Sequence, residues 1–135
     1  MYSGDMLKGV LISLASPDVN IVSSSKSSLG YRVRVRVCIR GKADFLKGIK
    51  RSLLQHEVES NYKDSEHKAR PRPILVISGL QNLTRLVEML PLDLPTNGEW
   101  KIFTKTLQML VNKEHLSEKG LFEIIKMKEG TNALS

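Results

Sequence analysis

Residues 31–40 read Tyr-Arg-Val-Arg-Val-Arg-Val-Cys-Ile-Arg. In an extended chain successive side chains point to opposite faces. Tyr31, Val33, Val35, Val37 and Ile39 then share one face, and Arg32, Arg34, Arg36, Cys38 and Arg40 share the other. Guanidinium groups two residues apart stand roughly 6.6–6.8 Å from one another along such a strand. They repel unless an anion lies over them, so the chemistry this row suits is the binding of a polyanion. Duplex DNA carries a negative charge about every 1.7 Å of its axis. A strand face that charge merely keeps in solution has the same pattern, and the rest of the chain has to weigh between the two.

The whole composition leans toward an anionic partner. Among 135 residues, 21 Lys+Arg stand against 14 Asp+Glu, a net charge of +7, and the isoelectric point is near 9.7. That balance favours nucleic acid or an anionic membrane surface. No apolar run approaches the ~20 residues of a spanning helix, and the first residues lack the basic, apolar and small-residue regions of a secretory signal. No membrane partner is expected. Cys38 is the only cysteine, which excludes an internal disulfide and any multi-cysteine zinc site and fits a reducing, intracellular setting. Other chemistries find little support. His56, His67 and His115 lack zinc spacing, so no metal ligands are assigned. There is no phosphate-cradling glycine loop. The run Ser23–Ser28 reads as a turn, although its hydroxyls suit phosphate contacts. Asn61 and Lys63, two residues apart, read either as base or phosphate contacts or as an exposed strand edge, and Arg70 and Arg72 add charge to the loop that follows.

These residues need elements to position them. Residues 5–15 read as a helix with Asp5 in its first turn, stopped by Pro17. Its apolar residues Met6, Leu7, Val10, Leu11, Ile12 and Leu14 nearly surround it, which predicts burial on most sides. Gly9 and Ser13, small and four apart, let another backbone come close. Val19 to Ser23 and residues 31–40 form a hairpin, and 43–56 switch to helical period. A second hairpin pairs Val58–Lys63 with Pro73–Ser78 across the charged loop 64–72. Helices follow at 80–90, at 99–112 and from Ser117 to Gly130, with a breaker-rich loop from Pro91 to Gly98. The order is α-β-β-α-β-β-α with two further helices. It implies an α+β fold with one four-stranded antiparallel sheet in a single domain over 1–135.

This order and several stretches resemble the LAGLIDADG homing endonucleases over nearly the whole chain. Leu7-Lys-Gly-Val-Leu-Ile-Ser-Leu-Ala looks like a divergent copy of the signature helix, with Gly9 at the glycine of the helix–helix contact. The passage from Arg32 to Leu54 is similar to the family's first hairpin and helix, and Ile77-Ser-Gly-Leu-Gln-Asn-Leu to its strand-to-helix junction. The tail is the most specific. Lys113-Glu-His-Leu-Ser-Glu-Lys-Gly-Leu, followed by Ile125, Lys128 and Asn132, resembles the ending of many members. The resemblance implies an αββαββα saddle and an intron- or intein-related origin. It also implies a homodimer through the signature helix, here Leu7, Gly9, Val10 and Ser13. The sheet would lie in the major groove, where arginine reads guanine with two hydrogen bonds. Arg32, Arg34, Arg36 and Arg40, with Lys63, Arg70 and Arg72, would then contact double-stranded DNA.

One part of the pattern is missing. The family cuts DNA with a carboxylate at the end of the signature helix, which holds divalent metal against the scissile phosphates. Counted from Gly9 that acid falls on Leu14; counted back from Val19 it falls on Ser16. Neither binds magnesium as a carboxylate does. Asp18 is the nearest acid, beyond Pro17, and reaches a catalytic position only through a remodelled turn. The favoured reading is a sequence-specific duplex-binding protein with cleavage lost or reduced, needing no cofactor. The alternatives are an active nuclease with Mg2+ and Asp18, and an RNA-binding or scaffold subunit that reuses the fold.

Overall fold

A computed structural model describes residues 4–26, 28–67, 69, 71–90 and 98–134, the last five without their side chains. The elements are α1 (Gly4–Ser13), β1 (Ala15–Ser23), β2 (Tyr31–Arg40), α2 (Ala43–Gln55), β3 (Asn61–Lys63), β4 (Ile74–Ser78), α3 (Leu80–Glu88), α4 (Gly98–Val111), a 3-10 turn (Glu114–Leu116) and α5 (Glu118–Leu134). The strands form one antiparallel sheet in the order β1-β2-β4-β3. This is the expected α+β order. The residues from Pro91 to Asn97, and with them most of the predicted breaker loop, lie outside the described residues.

The helices cover one face of the sheet. Val19, Val35, Val37, Ile39, Leu75 and Ile77 point into a core completed by Leu7 and Leu11 of α1, Leu46, Ile49 and Leu53 of α2, Leu83 and Leu86 of α3, Phe103 and Leu107 of α4, and Ile124 of α5. Trp100 and Phe103 meet edge to face, with ring centroids 5.7 Å apart. Removing this apolar surface from water, at about 25 cal/mol per Å2, is what holds the helices to the sheet.

Three boundaries differ from the sequence reading, each for a physical reason. First, β1 begins at Ala15, so Leu14 alone separates it from α1, and Pro17 lies inside the strand opposite Val37. Because β1 is an edge strand, a missing N–H is tolerated there. Second, Val58 is not in a strand. Glu57 has φ 62°. Its N–H donates to the Leu54 carbonyl, and the Val58 N–H donates to the Leu53 carbonyl. That pair of bonds is the Schellman ending of a helix, in which the residue after the left-handed position packs back on the last turn. Val58, fully buried, is that residue. Third, α5 runs on past Gly130 to Leu134. A glycine costs an α-helix only about 1 kcal/mol relative to alanine.

Candidate nucleic-acid interface

The other face of the sheet carries no helix among the described residues. Residues directly opposite each other in an antiparallel pair share a face, so the register assembles this surface strand by strand. On β1, Ser16, Asp18, Asn20 and Val22 stand opposite Cys38, Arg36, Arg34 and Arg32. On β4, Ser78, Val76 and Ile74 stand opposite Arg36, Cys38 and Arg40. On β3, Asn61 and Lys63 stand opposite Val76 and Ile74. Arg32, Arg34, Arg36, Arg40 and Lys63 therefore come to one surface, and all five are exposed. The two-faced strand read from residues 31–40 holds. Arg72 is exposed just before β4, and its carbonyl accepts from the Glu66 N–H at 2.9 Å. Arg70 falls outside the described residues.

The face has two unlike halves. Arg32 and Arg34 make no ion pair among the described residues. Beside them β2 runs past the end of β4, and the gap opens as a cavity of about 390 Å3 lined by residues 32–36, Ser78, Gly79, Leu80, Leu110 and His115. In the other half the guanidiniums have acidic partners in the same chain. The Arg36 Nε donates to Asp18 Oδ2 at 3.2 Å. The Arg40 Nε donates to Glu66 Oε1 at 2.6 Å, a bond that raises the pKa of Arg40 further. Glu66 belongs to the stretch predicted as a charged loop, and its carboxylate sits against Arg40 on the sheet. Cys38, between the two arginines, is buried. Burial pushes its thiol pKa up, against the pull of Arg36 and Arg40, so it is a neutral spacer and not a nucleophile.

Neither acidic partner was foreseen. Asp18 had a signal. Once β1 is carried back through Pro17, alternation puts Asp18 and Asn20 on the arginine face. Glu66 had none, because its placement depends on how the loop closes.

Leu7 and Val10 are not on an outer face of α1. With Leu11 they occupy the i, i+3, i+4 side that packs into the core, and Leu7 is fully buried. The outer side carries Met6, Gly9, Ile12 and Ser13, all exposed, and a Cβ added at Gly9 would meet nothing within 4 Å. The turn after α1 is also not remodelled to bring Asp18 to the helix end. Asp18 is the fourth residue of β1, about 10 Å along the strand from its start, and is held by Arg36. No three His, Cys, Asp or Glu cluster together among the described residues. The side chains at the end of α1, two serine hydroxyls (Ser13, Ser16) and the hydrocarbon of Leu14, do not fit a divalent cation.

His115 lies in the 3-10 turn between α4 and α5. Its Nδ1 is buried without a hydrogen-bond partner among the described residues, and burial lowers its pKa. The tail around it is architectural. Ser117 Oγ accepts from the Gly120 N–H at 3.1 Å and so caps α5. Lys128 Nζ donates to the Val19 carbonyl on β1. No described helix is long and apolar enough to cross a membrane.

No family model matches the sequence, and no curated protein matches it either. Solved structures do match. The archaeal intron-encoded homing endonuclease I-Vdi141I, complexed with DNA, aligns at TM-score 0.79 and 20% identity over 98% of this chain and 83% of its own. The LAGLIDADG meganuclease I-CpaMI, bound to uncleaved DNA, aligns at 0.77 and 23% over 95% of this chain and 45% of its own. I-SmaMI, bound to an uncleaved DNA target in the presence of calcium ions, aligns at 0.77 and 15% over 96% and 45%. The chain thus has the fold of the LAGLIDADG homing endonucleases, and it spans less than half of I-CpaMI and I-SmaMI.

Proposed function

We propose that this chain is a sequence-specific double-stranded DNA-binding protein of homing-endonuclease type, acting inside the cell as a homodimer with cleavage lost or reduced. The observation that carries the reading is the sheet face that bears a row of exposed arginines and, among the described residues, no helix. B-DNA's major groove admits a two-stranded β-ribbon and presents guanine O6 and N7 to arginine. Arg32 and Arg34, without an ion pair among the described residues, are the residues whose charge an anion would neutralise. Structures of the same fold described as bound to DNA support the choice of partner. The lack of a carboxylate at the end of α1 supports lost cleavage, and no step is assigned to a metal.

Selection from a randomised duplex library, with a structured-RNA library in parallel, tests the reading. One duplex sequence should be enriched and the RNA should not. On that duplex Arg34→Ala should cost about 1–3 kcal/mol if Arg34 reads a base. If Arg34 touches phosphate, the slope of log K against log salt should fall by about one unit. Unchanged affinity and slope would remove Arg34 from the interface. With magnesium or manganese the duplex should stay whole; specific cutting that disappears in Asp18→Asn would establish a nuclease instead.

A further inference from the structure

The two acid–arginine pairs share a detail of geometry. In each, the carboxylate takes the Nε proton: Arg36 Nε to Asp18 Oδ2 at 3.2 Å, and Arg40 Nε to Glu66 Oε1 at 2.6 Å. A guanidinium has five N–H donors in a planar fork, one on Nε and two on each Nη. Binding at Nε fixes the plane of the fork and leaves its far end, Nη1 and Nη2, without a partner in these pairs. Arg36 keeps 47% of its side chain exposed while so held, and Asp18 keeps 42%. Had the carboxylate capped the far end, the charge would be masked. Held at Nε, it is aimed.

We infer that Asp18 is a positioning residue that aims Arg36 to donate Nη1 and Nη2 to the O6 and N7 of one guanine. The inference rests on the duplex-DNA reading above. Arg36 and Asp18 are direct cross-strand partners joined by this bond, so the side chain is held in place before DNA arrives. An arginine ordered in advance loses less freedom on binding, and ordering one such side chain is worth roughly 2- to 12-fold in affinity. The fork favours a partner with two acceptors in its plane, and among the base edges of the major groove guanine is the one that offers arginine such a pair. Glu66 holds Arg40 in the same way, four residues and about 13 Å further along β2. The opposite role for Asp18 is that of an internal anion competing with phosphate.

The two roles predict different binding patterns. A duplex selected by the wild-type protein is varied at each base pair in turn, and affinities are read by fluorescence anisotropy for wild type, Arg36→Ala, Asp18→Ala and Asp18→Asn. Arg36→Ala identifies the guanine, as the one position where discrimination disappears. Asp18→Ala should then reduce discrimination at that same position by about 2- to 12-fold and leave the other positions unchanged. Asp18→Asn, which keeps an acceptor for Nε, should restore part of it. A melting temperature equal to wild type separates this from misfolding. If Asp18→Ala tightens binding to every duplex equally, or leaves discrimination at that position untouched, the inference is overturned while the DNA reading stands. If the wild-type protein enriches no duplex, both fall.

Discussion

A methyl group at position 120 would sit 1.8 Å from the Glu114 carbonyl oxygen, well inside any real contact. Gly120 is buried, in the first turn of α5, and its N–H is held by Ser117 Oγ, which itself donates to the Glu114 carbonyl at 2.9 Å. Three constraints meet in one turn, so neither backbone can give way cheaply. In an ordinary helix Gly→Ala gains about 1 kcal/mol; here overpacking should win, and Gly120→Ala should destabilise by about 1–3 kcal/mol net, read as a lower midpoint in urea with an unchanged slope. A midpoint at or above wild type would mean the 3-10 turn moves freely. At this scale the sequence was only partly informative. The arginine row was legible because a strand leaves each side chain two choices of face. Which arginines are neutralised was not, since Asp18 is 18 residues from Arg36 and Glu66 is 26 from Arg40, and only the register and loop closure join them.

Elements were more legible than their ends. The α2 and α4 helices and the apolar β4 strand fell where period and composition put them, although Leu54 and Val111, placed by the period on the apolar stripes, are exposed. The misreadings occurred where a local rule was outweighed: Pro17 by an edge position that needs no N–H, and Val58 by a helix ending built on Glu57. The junction of α4, the 3-10 turn and α5 shows the same interplay in its ionisation. Burial lowers the pKa of His115 below its ordinary 6.5, so the folded state prefers the neutral ring. As pH falls from about 6.5 toward the folded value, the unfolded chain takes up a proton that the folded one resists, and stability rises with pH across that window. The contribution is complete above about pH 6.5 and is lost below it. His115→Gln should therefore flatten the fall in melting temperature on the acid side of 6.5. An acid-side slope identical to wild type would show that His115 titrates as freely folded as unfolded.

For the whole molecule the open question is what covers the outer side of α1. Met6, Ile12 and, just beyond the helix, Leu14 are among the large apolar residues left exposed, with Gly9 and Ser13 between them. Small residues four apart allow two helices to approach closely, and the flanking apolar side chains would bury the surface that makes the approach favourable. A second copy of the same helix meets both requirements, since a twofold contact sets each patch against itself. Gly9→Leu isolates this contact. Because a Cβ at Gly9 touches nothing in its own subunit, the subunit's core should tolerate the larger side chain, and leaving glycine favours the helix by about 1 kcal/mol. The wild-type protein should sediment as a dimer and Gly9→Leu as a monomer with unchanged circular dichroism. Affinity for a two-half-site duplex should fall with the dimer, while binding to a single half-site, which needs one arginine face only, should be kept. A wild-type protein that is already monomeric at every concentration, or a variant that stays dimeric, would show that two copies do not meet at α1 and that the proposed DNA face must be completed in another way.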